Sequence, residues 1–274
     1  MTETVSVGLI GGSGLYSLFD PSNSEQRIIE TPYGSAEVTI GEFGGKRAAF
    51  LTRHGAGHTV PPHLIEYRAN VWALASLGAK VVLSSSAVGG VSPDYPAGSL
   101  VLTDQFIDRT HGRSDTFYDQ DSVQHLASAD PFAPELHELA ASALLDAGIP
   151  VITAGTVVVV QGPRFSTRAE SLWYRSAGAH IVNMTMYPEV ALASELNLDT
   201  VNLSFVTDAD AGLAPIAGVV DEEAVSAELV FRRLAKAQPL IVRALEAIAA
   251  AIPEDYTPRQ LISPTEVARV LAKR

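Results

Sequence analysis

Val5-Ser6-Val7-Gly8-Leu9-Ile10-Gly11-Gly12-Ser13-Gly14 is an apolar, β-branched run that stops on glycines and a hydroxyl. Residues 5–10 read as a buried strand, and the four residues after it as a tight loop. Glycines let backbone N–H groups approach an anion closely, and Ser13 adds a donor. A plain turn after a strand fits the same four residues. A dinucleotide fingerprint fails, because Ser17 stands where its third glycine belongs. No Gly-Lys-Ser/Thr follows, so a Walker A loop is absent.

Working outward, strands and helices alternate. Strands are expected over 37–40 and 47–51 around a turn at 42–45. A helix over 67–77 is stopped by Gly78, and strands follow over 80–84 and 99–103. Next come a helix over 134–147 closed by Gly148, a long strand over 151–160, and a helix over 169–177 stopped by Gly178. A strand over 180–184, a helix over 188–195 and a strand over 200–207 lead to a long amphipathic helix over 222–251, with a break expected near Pro239. Composition does not change before Pro253. This alternation predicts a single α/β domain over 1–252, with 253–274 as a C-terminal linker and short tail.

The chain has 274 residues, 47% hydrophobic and 18% charged, the balance of a globular protein with a sizeable core. It has no cysteine, so disulfides and thiolate chemistry are excluded. The N-terminal residues lack a basic n-region, and no apolar run reaches the ~18–20 residues of a membrane helix. The expected location is cytoplasmic, with no membrane partner. A net charge of −12 argues against nucleic acid as a partner. A small anion would need a locally built positive pocket.

Five further motifs follow strands, where α/β sheets bind ligands. Arg53-His54-Gly55-Ala56-Gly57-His58 puts three potentially cationic groups in six residues. Arg53 offers a fork matched to phosphate, and the histidines can donate or titrate. The spacing does not suit zinc, and no metal site is expected. Ser84-Ser85-Ser86-Ala87-Val88-Gly89-Gly90 reads as a hydroxyl-rich loop, either an anion cradle or a turn. In Gln161-Gly162-Pro163-Arg164-Phe165-Ser166-Thr167-Arg168-Ala169-Glu170, Thr167 and Glu170 suit a capping box. Arg164 and Glu170 suit a structural pair, and Phe165 is either core or a platform for a planar ring. Asn183-Met184-Thr185-Met186-Tyr187-Pro188-Glu189 offers a hydroxyl and an adaptable thioether, or a plain strand-to-helix junction. In Thr207-Asp208-Ala209-Asp210-Ala211-Gly212, two acids two residues apart could read the edge of a base, one with a raised pKa suiting a general acid.

Taken in order, these motifs resemble the 5'-methylthioadenosine phosphorylases of the trimeric purine nucleoside phosphorylase superfamily. The resemblance runs from about Val7 to Leu234. It also includes TPYG at 31–34, NVWAL at 70–74 and DQFIDRT at 104–110. It implies a central mixed twisted sheet flanked by helices. The implied reaction is attack of inorganic phosphate on C1' of a purine nucleoside, with no metal or organic cofactor. Ser13, Arg53, His54, Ser86, Ala87 and Thr185 would hold phosphate, the last three also lying near the ribose. Met184 would pack on the ribose, Phe165 against the purine with Ser166 close by, and His58 near phosphate or sugar. Asp210 would protonate or hydrogen-bond N7, and Asp208 would accept from the 6-amino group. Ser13 and Ser86 stand where the family often has Thr, each keeping its hydroxyl.

Relatives that act on 6-oxopurines carry Asn where this chain has Asp208, and a histidine at the start of the late helix. Here no histidine follows His180, and the stretch reads Ala227-Glu228-Leu229-Val230-Phe231. Ala227, Val230 and Phe231 would make an apolar wall suited to a methylthio group. His125 would reach a neighbouring subunit's pocket, which implies a homotrimer. The alternatives are a phosphorylase for 6-oxopurine nucleosides or methylthioinosine, and a non-catalytic binder on the same fold.

Overall fold

The computed structural model describes residues 4–55, 57–213 and 226–273. β1 (Val7–Gly11) is buried at every position, as a strand covered on both faces should be. After it come β2 (Glu25–Thr31), β3 (Gly34–Phe43) and β4 (Lys46–Thr52), which pair antiparallel in sequence. α1 (Tyr67–Ser76), β5 (Val81–Gly90), β6 (Leu100–Thr103) and β7 (Gln105–Arg109) follow. Next are α2 (Pro134–Asp146), β8 (Thr156–Val160), α3 (Arg168–Ser176) and β9 (Ile181–Asn183). The remaining elements are α4 (Met186–Glu195), β10 (Asp199–Ala209), α5 (Ala227–Ala251) and α6 (Pro264–Leu271).

β1 lies between β4 and β5, parallel to both. The main path of the sheet runs β2-β3-β4-β1-β5-β9-β8-β7, with β10 parallel to β5 and β6 antiparallel to β10. This is the mixed sheet of an α/β domain. Period-two alternation sends Val7, Leu9, Val81 and Leu83 toward α2 and α5, where Leu136, Leu144, Leu245 and Ile248 meet them. Ile10 and Val82 go to the other face, with Leu74 of α1, Leu192 of α4 and Val270 of α6. Gly8 lets α1 close onto β1, since a Cβ there would lie 2.9 Å from Leu74 Cδ1.

The structure departs from expectation in several places. Ser84–Gly90 is not a loop, because β5 continues through it, paired with β10 from Val81↔Asp199 to Gly90↔Ala209. The whole β-propensity scale spans only about 1 kcal/mol. A single buried backbone group left unpaired costs about 1–3 kcal/mol, so pairing overrides the poor strand character of serine and glycine. The strand expected over 151–160 begins only at Thr156; before it, Ile152 exchanges backbone hydrogen bonds with Leu100 and Leu102. β2 and β7 are strands that the alternation does not mark.

The late helix is unbroken at Pro239 within α5, and its expected start at residue 222 lies outside the described residues. An interior proline costs about 3 kcal/mol. Leu234, Ala237, Ile241, Ala244, Leu245 and Ile248 are buried on both sides of it. Each large apolar side chain returns about 1.5–3 kcal/mol, so packing holds the helix in line. The segment after Pro253, expected as linker and tail, packs onto the domain. Trp72 Nε1 donates to Val270 O at 3.1 Å, and Arg259 Nε to Asp199 Oδ1 at 2.7 Å.

β9 runs antiparallel to β5 while β8 runs parallel to β9. The C-terminal ends of β1, β4, β5 and β10 therefore face those of β8 and β9 across one opening.

Candidate active site

A cavity of about 570 Å³ fills that opening. Every sequence-predicted site residue except His125 lines it. At one end, the backbone after β1 threads between β4 and β5. A Cβ on Gly12 would meet Ser85 O at 2.5 Å and Arg53 Nη1 at 3.0 Å, so only glycine fits. Ser13, Ser86, Ala87 and Thr185 join Arg53 and His54 around this end.

Arg53 is buried and does not stand alone. Its Nε and Nη2 donate to the two carboxylate oxygens of Glu189 at 2.6 and 2.8 Å, and Nη1 donates to Ser85 O at 2.9 Å. Glu189 offsets most of the charge that a bare guanidinium would bring. The expected positive pocket is thus mainly a pocket of dipoles: hydroxyls, backbone N–H groups and the remaining Arg53 N–H bonds. Nothing in the sequence pairs two residues so far apart.

The two histidines are not the cations that the sequence suggests. Burial lowers the His54 pKa to about 4, leaving it neutral near pH 7. Its Nδ1 lies 2.9 Å from Val60 O, a pure acceptor, so Nδ1 carries the proton and Nε2 a lone pair. Burial also lowers the pKa of His58, whose ring lies 4.5 Å from that of His54.

The opposite end is acidic. The register between β10 and β5 slips between Val206 and Asp208, so Thr207 is an extra residue, a β-bulge. Bulges beside sites re-aim side chains. Asp208 lies on β10 itself, not beyond it, and Thr207 Oγ1 donates to its Oδ1 at 2.6 Å. Burial pushes the Asp208 pKa up to about 6. Asp210 is also buried, its pKa raised by that burial, and its Oδ2 has no hydrogen-bond partner.

Phe165 and Ser166 reach the cavity from the loop after β8. The Arg164–Glu170 ion pair, with Nη2–Oε1 at 2.6 Å, and the Thr167–Glu170 capping box form as expected and brace that loop against α3. Met184 comes from the end of β9. Ala227, Val230 and Phe231, in the first turns of α5, close a third side, where the Phe231 ring meets His58 edge-on at 5.1 Å. Arg233 Nη1 donates to Thr207 O at 2.6 Å, tying α5 to the bulge. His125 is exposed and lies outside its own chain's cavity. Among the described residues, no group of three His, Asp or Glu side chains could hold a metal ion.

Sequence reasoning misses Arg113. Its guanidinium donates to Tyr187 O at 2.5 Å, Met184 O at 2.9 Å, Gln161 O at 3.1 Å and Val160 O at 3.4 Å. One cation therefore gathers the ends of β8 and β9 and the start of α4.

The comparisons with known proteins agree with this geometry. Residues 6–245 match the model of the phosphorylase superfamily. The S-methyl-5'-thioadenosine phosphorylase of Thermofilum pendens is 46% identical over 255 residues, 92% of this chain and 94% of that protein. The purine nucleoside phosphorylase of Streptomyces coelicolor is 48% identical over 227 residues, 79% of this chain and 80% of that one. Among solved structures, methylthioadenosine phosphorylase from Schistosoma mansoni in complex with adenine superposes with a TM-score of 0.83. It is 33% identical, and the match covers 97% of this chain and 96% of that one.

Proposed function

Because the chain belongs to the phosphorylase superfamily, we propose that it carries out the phosphorolysis of 5'-methylthioadenosine, giving adenine and 5-methylthioribose 1-phosphate. The observation that carries this reading is one cavity with two unlike ends: an anion cradle of hydroxyls and Arg53, and a pair of buried acids.

Phosphate in the cradle would accept hydrogen bonds from Ser13, Ser86, Thr185 and the free N–H bonds of Arg53, with Ala87 beside it. The His54 Nε2 lone pair would accept a hydrogen bond from a phosphate O–H. A phosphate oxygen then bonds to C1' as the C1'–N9 bond breaks, and the electron pair leaves with the purine. The sugar becomes oxocarbenium-like, and the anion beneath it offsets that charge. Asp210, protonated more readily than an ordinary carboxyl, supplies the proton or hydrogen bond at N7 that makes adenine a leaving group. Asp208, ionised above about pH 6, accepts from the 6-amino group. Phe165 and Ser166 border the base, Met184 and His58 the sugar. Ala227, Val230 and Phe231 offer the methylthio group an apolar wall.

Phosphate is the co-substrate, and this chemistry calls for no resident metal or organic cofactor. We further propose a cytoplasmic homotrimer in which His125 completes a neighbour's pocket, with neither nucleic acid nor membrane as partner. Among the described residues, no helix is long and apolar enough to cross a membrane.

A second reading is a phosphorylase for 6-oxopurine nucleosides or methylthioinosine. A carboxyl that gains its proton near pH 6 favours it. One assay separates the readings: methylthioadenosine, adenosine, inosine and methylthioinosine, each with and without phosphate. Adenine released from methylthioadenosine only when phosphate is present is the expected result. Turnover without phosphate overturns phosphorolysis, and faster release of hypoxanthine selects the second reading.

A further inference from the structure

Beneath the anion cradle runs a line of buried polar side chains whose hydrogen bonds all point one way. Asn202 on β10 sits opposite Ser84 of β5, with Ser204 opposite Ser86. The Asn202 amide nitrogen donates to Ser84 Oγ at 2.8 Å and to Ser86 Oγ at 3.0 Å. Its carbonyl accepts from Ser204 Oγ at 2.8 Å. Ser204 has one hydroxyl proton and spends it there, so its 3.1 Å contact with Thr103 Oγ1 must have Thr103 as donor. With the Asn202 amide oriented this way, the direction follows: Thr103 to Ser204, Ser204 to Asn202, Asn202 to Ser86. Asn202, Ser204 and Thr103 are at most 1% exposed, so bulk solvent does not reach them.

We propose that Asn202 is a positioning residue for the co-substrate, fixing the Ser86 hydroxyl as a donor toward the bound oxyanion. Once the Asn202 N–H occupies a lone pair of Ser86, the serine proton has to leave in another direction, and Ser86 lines the cavity. Each bond in the line polarises the next, so the last donor is stronger than a lone serine. Every group before Ser86 is neutral, so the cradle gains donor strength without a buried charge. The amide also binds Ser84, holding two alternate residues of β5 in register with the site. Residue type alone does not show this, since an asparagine within a strand has no motif.

The inference rests on the phosphorolysis reading, and one experiment separates the failure of either. The Michaelis constants for phosphate and nucleoside are measured for wild type, Asn202→Ala, Ser86→Ala and the double variant, with thermal melting to confirm folding. Asn202→Ala should raise the phosphate KM about tenfold or more, the worth of a hydrogen bond to a charged acceptor. The nucleoside KM should change less than twofold. In the Ser86→Ala background, Asn202→Ala should add little, because its effect passes through Ser86. If Asn202→Ala does not fold, Asn202→Leu, which keeps the branched shape and removes both donors without adding a charge, takes its place in the same cycle. An unchanged phosphate KM, an equal rise in both constants, or full multiplication of the two single effects overturns the positioning role. Phosphate-independent turnover by the wild type sinks the underlying reading instead.

Discussion

Asp208 is a carboxyl with one oxygen held by Thr207 and a pKa of about 6 caused first by burial. Its protonation state therefore changes inside the range where enzymes are assayed. Above that value it is an acceptor and suits a 6-amino group; below it the acid gains a donor and suits a 6-oxo group. The ratio of methylthioadenosine to methylthioinosine turnover should fall as pH drops from 7.5 to 5.5. Asp208→Asn should lower that ratio at least tenfold at pH 7.5 and abolish its pH dependence; an unchanged ratio removes Asp208 from base reading. The same group makes a stability prediction of definite sign. Its folded pKa lies above the ordinary 3.8, so the folded state binds the proton more tightly than the unfolded chain. Ionisation at neutral pH thus destabilises the fold, by on the order of 2 kcal/mol. Asp208→Asn should raise Tm at pH 7.5, and the gain should shrink as pH falls through about 6 toward 4.

At the scale of elements, the site depends on how strand ends are tied together. Arg113 gathers four carbonyls from the end of β8, the loop after it, the residue that follows β9, and α4. Those segments carry Phe165, Ser166, Met184 and Thr185. Arg113→Lys keeps the charge but loses the planar fork. It should lower stability by about 1–3 kcal/mol and reduce kcat/KM for the nucleoside severalfold, as thermal melts and initial rates would record. The sequence makes the cavity-lining residues legible because each follows an apolar run and has a chemically distinctive side chain: Arg53, Asp208 and Asp210 are of this kind. The supporting residues are not legible. Arg113 bonds to carbonyls, which every residue has, so its partners leave no signature. Glu189 stands 136 positions from Arg53, and only the folded sheet brings them together. The long reach of β5 is hidden for the same reason, since Ser84–Gly90 has the composition of a turn and becomes a strand only when β10 pairs with it. β2 is an edge strand with alternating exposed residues, too polar to stand out.

For the whole molecule, a chain of net charge −12 encloses the cavity proposed to take an anion. On the proposed reading, phosphate would be drawn at short range, through directed donors, and not by long-range steering. His125 is exposed beside Val123, itself 76% exposed, and both lie away from their own chain's cavity. Light scattering should give three times the 29.0 kDa chain mass, and His125→Ala should raise the nucleoside KM severalfold with the phosphate KM unchanged. A monomeric mass with full activity would refute the shared pocket. The packing of α6 sets a further condition, one of timing. Ile10, near the start of the chain, shares a core with Ile262 and Val270 near its end. A ribosome makes these residues in order, so the apolar face over α1 stays uncovered until residues 262–270 have emerged. The nascent chain has to be kept from sticking to its neighbours throughout that interval, and emergence of α6, not of the first strands, is the moment at which this core can close.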